Sequence, residues 1–158
     1  MHHTFEPLHT QIKVLDQYRK PINSNERKER IAKATIKYPY YGATGQAGEI
    51  DEYLLDGEYV LIGEDCAPFL DKYQDKAYIV NGKFWVNNHA HILSSKCNEF
   101  LCFYLNTFDY HQYVSGTTRL KLTQKDLKRI PYPVLSEQFQ KQISQSIVKA
   151  IRPLDSIT

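Results

Sequence analysis

Between Tyr53 and Ile92 the chain is broken by turn signals into apolar runs of four to six residues, a pattern that commits this stretch to short strands. Glu58-Tyr59-Val60-Leu61-Ile62-Gly63 follows an Asp56-Gly57 turn signal. Ala77-Tyr78-Ile79-Val80 and Lys83-Phe84-Trp85-Val86 flank Asn81-Gly82, a dipeptide that favours positive φ and predicts a hairpin of the two runs. His89–Leu93 supplies a further strand.

The flanking segments read differently. Thr10–Tyr18 places Ile12 and Val14 on alternate positions and predicts a half-buried strand. Asn23–Ala34 is polar and fits a short exposed helix, capped by Asn23 or Ser24, or a loop. Tyr38-Pro39-Tyr40-Tyr41 runs into Gly42-Ala43-Thr44-Gly45, a two-glycine turn. Cys97–Val114 carries Phe100, Leu101, Tyr104, Leu105 and Phe108 at helical spacing and predicts one core helix, ended by Gly116. Thr123 caps a second short helix through Arg129, before an extended Ile130-Pro131-Tyr132-Pro133. Ser136 opens a last helix whose apolar stripe, Phe139, Ile143, Ile147 and Ile151, is narrow enough to pair with another helix or to pack on the domain. The expected architecture is a mixed, β-rich α+β globular domain over residues 1–135, with a helix over residues 136–158.

Length and composition limit the alternatives. A chain of 158 residues has room for one domain with a true core. No apolar run approaches the ~18 residues of a membrane span. The first residues lack the apolar centre of a secretory signal. Three cysteines without a CxxC pair argue against a disulfide framework, and the expected compartment is the cytoplasm. A net charge of +2 conceals blocks of opposite sign. Arg19–Lys37 holds seven basic and two acidic residues, Gly48–Asp75 nine acids and one lysine, and Gly116–Arg129 five basic residues and one acid. Such blocks make a two-faced protein with one side for a polyanion, or they neutralise each other in space.

The residues that could carry chemistry do not assemble into an active site. His89 and His91 share a strand face but lack a third metal ligand at useful spacing, so hydrogen-bonded structural roles fit them better. Glu64-Asp65 sits at a strand end as in metal-dependent nucleases, without the acid-x-Lys such sites require. Cys102 lies within an apolar helix, and Cys66 and Cys97 have no evident base. Gly42-Ala43-Thr44-Gly45 is neither a P-loop nor a dinucleotide fingerprint. What remains is a tyrosine-rich, glycine-containing loop between basic segments, a composition suited to phosphates, with amides such as Asn87-Asn88 suited to base edges or to capping a turn.

Several segments, in register, resemble the specificity subunits of type I restriction-modification systems. They are Lys37-Tyr38-Pro39-Tyr40-Tyr41-Gly42-Ala43-Thr44-Gly45, Asp56–Asp65, Gly82–Leu93, Ser115–Thr123, Ile130–Pro133 and Glu137-Gln138. The resemblance spans roughly Phe5 to Ile151 and implies a target recognition domain that reads one half of a split sequence in double-stranded DNA. It implies a following helix that pairs with its counterpart as a coiled-coil spacer and docks methyltransferase subunits. It implies no catalysis in this chain: S-adenosylmethionine, ATP and Mg would serve the modification and restriction subunits. Members of that family carry two recognition domains and two spacer helices, whereas this sequence has one domain and the opening of a helix. A half-length subunit that pairs with a second copy or a second specificity half, a truncation and an excised domain all fit. An interaction module that joins such an assembly without tight DNA binding of its own is the alternative.

Charge and loop position, rather than any matched family site, nominate the DNA-facing residues: Lys20, Arg27, Arg30, Lys37, Tyr41, Thr44, Asn87, Arg119 and Lys121. Phe139, Ile143, Ile147 and Ile151 are the expected partner-helix residues.

Overall fold

The computed structural model describes residues 3–155; Met1, His2 and residues 156–158, which belong to the N-terminal and C-terminal readings above, lie outside it. Ten strands and four α-helices are described: β1 (Phe5–Pro7), β2 (Lys13–Val14), α1 (Ser24–Lys33), β3 (Tyr38–Gly42), β4 (Gly45–Ile50), β5 (Leu55–Asp56), β6 (Tyr59–Gly63), β7 (Ala77–Val80), β8 (Lys83–Val86), β9 (Ala90–Ser94), α2 (Asn98–Thr107), α3 (Gln124–Lys128), β10 (Pro131–Pro133) and α4 (Glu137–Asp155). One four-stranded sheet has the order β2-β9-β6-β7, a second β4-β3-β8-β5, and β1 pairs with β10 apart from both.

The first sheet is the middle of the molecule, and strand alternation shows why. Val60, Ile62 and Leu93 join the cluster that includes Phe100, Leu101 and Leu105 of α2. Leu61 and Ile92 face the other way and pack with Leu55, Phe84 and Val86 of the second sheet. Both faces of β6 and β9 are therefore covered, which accounts for the unbroken apolar runs in their sequence. On the outer face of the second sheet Tyr40, Ile50 and Trp85 form a third cluster. α1 lies there without burying any of its own residues. It holds on through cations: the Arg27 guanidinium sits 4.6 Å from the Tyr40 ring centroid and that of Arg30 5.5 Å from the ring of Trp85.

Caps behave as the sequence predicts. Asn23 accepts from the backbone N–H of Asn25 at 2.8 Å, Thr123 from that of Asp126 at 3.2 Å, and Ser136 from that of Phe139 at 3.2 Å.

Three expectations are corrected. The Ala77–Val86 hairpin does not exist: β7 pairs with β6 in the first sheet, while β8 pairs with β3 and β5 in the second. Asn81-Gly82 is a crossover between sheets, with Gly82 at φ +83°. Asp56-Gly57 is a second crossover, from β5 to β6, and Gly57 and Gly82 donate their backbone N–H groups to each other's carbonyls at 3.0 Å. The Thr10–Tyr18 strand shrinks to two residues because the chain turns at Asp16 to carry its carboxylate inward. The Cys97–Val114 helix stops at Thr107. There the Asn106 side chain is captured by the start of β7, accepting from Lys76 and Ala77 N–H at 2.7 and 2.8 Å and donating to the Ala77 carbonyl at 2.9 Å. Tyr110, fully buried, folds back to donate its hydroxyl to the Leu105 carbonyl, one of the groups the helix end leaves unpaired.

The stripe of α4 divides. Gln140 and Ser144 are buried and Ile143 packs against the main core, whereas Phe139 and Ile151 remain exposed and Ile147 half-buried. From Gln145 to Ile151 no side chain is buried.

Candidate nucleic-acid interface

β3 and β8 run parallel, Tyr40 opposite Trp85 and Tyr41 opposite Val86, so their C-terminal ends emerge side by side. Gly63, at the end of β6, pairs with Ala90, at the start of β9. The register thus gathers four connections at one end of the sandwich: the Ala43-Thr44 turn, the segment after Gly63, the Asn87–His89 turn, and the loop from Ser115 to Leu122. Backbone bonds fasten them together. Asn87 N–H donates to the Tyr41 carbonyl at 3.1 Å, Glu64 N–H to that of His89 at 2.8 Å, and Leu122 N–H to that of Glu64 at 2.7 Å. Ser115 and Lys121 exchange bonds of 3.0 and 2.8 Å across the base of their loop.

Two glycines make this packing possible. A β-carbon on Gly116, which has φ +99°, would lie 2.5 Å from the Arg119 carbonyl oxygen. One on Gly63 would lie 2.7 Å from the Ala67 β-carbon and 2.9 Å from the Ala43 carbonyl oxygen. Gly63→Ala is accordingly expected to force the Ala43-Thr44 turn off the sheet and cost about 1–3 kcal/mol, read from the midpoint of chemical denaturation.

Beneath the rim lies a buried ion pair. His91, fully inaccessible, directs Nδ1 to Asp16 Oδ2 at 2.7 Å and Nε2 to the Leu122 carbonyl at 2.7 Å. The same carboxylate accepts from Ile92 N–H at 2.9 Å and Gln124 Nε2 at 3.0 Å. Burial opposes ionisation of Asp16, but the hydrogen bond and charge of His91 and the donors of Ile92 and Gln124 hold its carboxyl below the usual value of 3.8. Above it Arg19 spans Glu64 at 3.3 Å, Asp16 at 3.9 Å and the carbonyls of Asn88 and Ala90 at 3.3 and 3.4 Å. The Glu64 acid that suggested a nuclease is thus a structural tie to Arg19.

The nominated residues separate into three places. At the rim, Thr44 is exposed at the turn tip, and Arg119 and Lys121 are exposed with no carboxylate within ion-pair distance among the described residues. Lys20 has its N–H bonded to the Val86 carbonyl, but its ammonium lies 5.6 Å from the Trp85 ring, on the face that Arg30 also covers. Tyr41 is half-buried between the rings of Tyr78 and Phe84, 5.8 and 5.7 Å away. Asn87 is buried and its side-chain oxygen accepts from His89 N–H at 2.8 Å, so its amide caps the turn. On the flank, Arg27 donates to the Glu49 carbonyl at 3.1 Å, and Arg30 binds Asp51 at 2.8 Å and Glu52 at 3.0 Å. Lys37, preceding β3, is at the opposite end from Thr44. The basic and acidic blocks therefore neutralise each other in part, through Arg19 and Arg30, and leave Arg119 and Lys121 without a carboxylate partner among the described residues.

Reading the sequence missed Arg19 and the pair of His89 with Asp65. Nδ1 of His89 lies 2.9 and 3.2 Å from the two Asp65 oxygens, a contact between residues 24 apart in the chain. Among the described residues no group of three His, Cys, Asp or Glu side chains could hold a metal ion. Burial, with Asp75 adding to it, pushes the Cys102 thiol up to about 11, away from nucleophilic use. No described helix is long and apolar enough to cross a membrane.

The fold is a strand-rich sandwich that tethers four loops into one amide-, hydroxyl- and cation-bearing rim. The chain belongs to the type I restriction modification DNA specificity domain family, which its residues 15–158 match. It is 32% identical over 157 residues to a Haemophilus influenzae protein assigned as a type I restriction enzyme specificity subunit, covering 98% of this chain and 38% of that one. Its fold superposes on the S subunit of a type I restriction-modification system from M. genitalium with a TM-score of 0.70 at 13% identity, over 99% of this chain and 41% of the other. A structure addressing complex assembly and conformational transition of a type I system gives 0.67 at 14% identity, over 97% and 39%. The chain spans about two fifths of the length of these relatives. The mixed α+β class with a C-terminal helix, expected from the sequence, is the class observed. Specificity subunits of this family are non-catalytic.

Proposed function

We propose that this chain reads one half-site of a split DNA sequence as a target recognition domain. The observation that carries the reading is the rim, where Arg119 and Lys121 remain available for phosphates while Thr44, Asn88 and His89 present hydroxyl, amide and imidazole groups. Methyltransferase and restriction subunits are the expected partners, in the cytoplasm, and S-adenosylmethionine, ATP and Mg belong to their chemistry. A labelled duplex titrated at increasing salt should show log affinity falling linearly with log salt concentration; a flat response would remove the phosphate contacts and the reading with them.

A second reading rests on the exposed apolar residues of α4, Phe139 at 41%, Val148 at 46% and Ile151 at 51%. They suit a pairing helix, from a second copy or another specificity half, in an interaction module that does not bind DNA tightly. Sedimentation velocity over a range of concentrations should show association that Ile147→Glu with Ile151→Glu abolishes while the domain stays folded. Association unaffected by those changes would discard α4 as the pairing surface.

A further inference from the structure

Resting on the DNA-reading function, we propose that His89 is a base-reading residue of the rim and that Asp65 is its positioning residue. The backbone of His89 is fixed on both sides: its N–H donates to Asn87 Oδ1 at 2.8 Å and its carbonyl accepts from Glu64 N–H at 2.8 Å. Asp65 is fixed in turn, because its backbone bridges to Lys121 in the Ser115–Leu122 loop. The Asp65 side chain is 15% exposed and that of His89 48%, so the carboxylate is sheltered and the ring stands at the surface. Nδ1 faces the carboxylate at 2.9 Å and carries the hydrogen of that bond. With Nδ1 committed to Asp65, Nε2 is the ring nitrogen left to bond a base edge. Held in the major groove, Nε2 meets one base edge, as an acceptor for N6 of adenine or N4 of cytosine or as a donor to N7 or O6 of guanine. Lys121, joined to Asp65 by the bridge, supplies the neighbouring phosphate contact that sets the register. This arrangement divides the rim into residues that position the backbone and one residue that discriminates a base.

The test is selection from a random duplex library by the chain, by His89→Ala and by Asp65→Ala, with denaturation midpoints and salt slopes measured on all three. The expected result is a consensus with one base strongly required at one position, a preference of about tenfold or more. His89→Ala should lose that preference alone, and Asp65→Ala should weaken it, with salt slope and midpoint unchanged. Should Asp65→Ala fail to fold, His89→Ala decides the outcome. An unaltered consensus for His89→Ala overturns the proposal. A wild-type chain that binds duplexes without any consensus overturns sequence reading itself, an outcome distinct from the failure of His89.

Discussion

Asp16→Ala is expected to cost about 3–5 kcal/mol, because it leaves His91 buried opposite the Leu122 carbonyl with no partner for its other nitrogen. It also removes the acceptor for Ile92 N–H and Gln124, so β9, α3 and the base of the Ser115–Leu122 loop lose their common tie. Asp16→Asn should cost less, since an amide oxygen still accepts from Ile92. Acid should reproduce the loss. The Asp16 carboxyl is held below 3.8 in the folded state, so its contribution is complete above that value and disappears as pH falls through the lower folded value. Urea denaturation across this range should show a steeper fall for the wild-type chain than for Asp16→Asn. Parallel curves would show that this pair does not hold the floor of the rim.

Arg119→Ala combined with Lys121→Ala should reduce the slope of log affinity against log salt by about 1.8, the share of two phosphate contacts on duplex DNA. Binding should weaken alike for all sequences, leaving the consensus intact. The contrast is Arg30→Ala, whose guanidinium binds Asp51 and Glu52 at 2.8 and 3.0 Å. That change should lower the denaturation midpoint by loosening α1 and leave the salt slope nearly untouched. A slope change for Arg30→Ala with none for the Arg119 and Lys121 pair would mean that the α1 flank, rather than the loop rim, meets the phosphates.

The difference between Arg30 and Arg119 also shows what the sequence makes legible. Both stand in basic stretches, but only Arg30 finds partners in the acidic block, Asp51 and Glu52, because α1 lies beside β4. Local chemistry was readable: the Asn23, Thr123 and Ser136 caps and the positive-φ requirement at Asn81-Gly82 follow from short-range sterics and hydrogen bonding. A positive-φ glycine marks a turn without saying whether the next strand returns beside the last or crosses to another sheet. Gly57 and Gly82 take the second course, supported by each other's backbone. The end of α2 was likewise hidden, because Asn106 stops it through contacts with Lys76 and Ala77, about thirty residues earlier. Of the candidate site, Thr44, Arg119 and Lys121 were accessible to loop and charge arguments. Arg19, Asp16 and the Asp65–His89 pair depend on contacts between distant segments, which composition and periodicity do not encode. The segments from Lys37 to Gln138 that resemble the specificity family carried the functional reading further than any single residue did.

Selection of binding sites by the unmodified chain from a random duplex library tests the central claim most directly. The account predicts enrichment of a short, uninterrupted motif, held against an excess of unrelated duplex. Recovery of a library no different from its starting composition would contradict it.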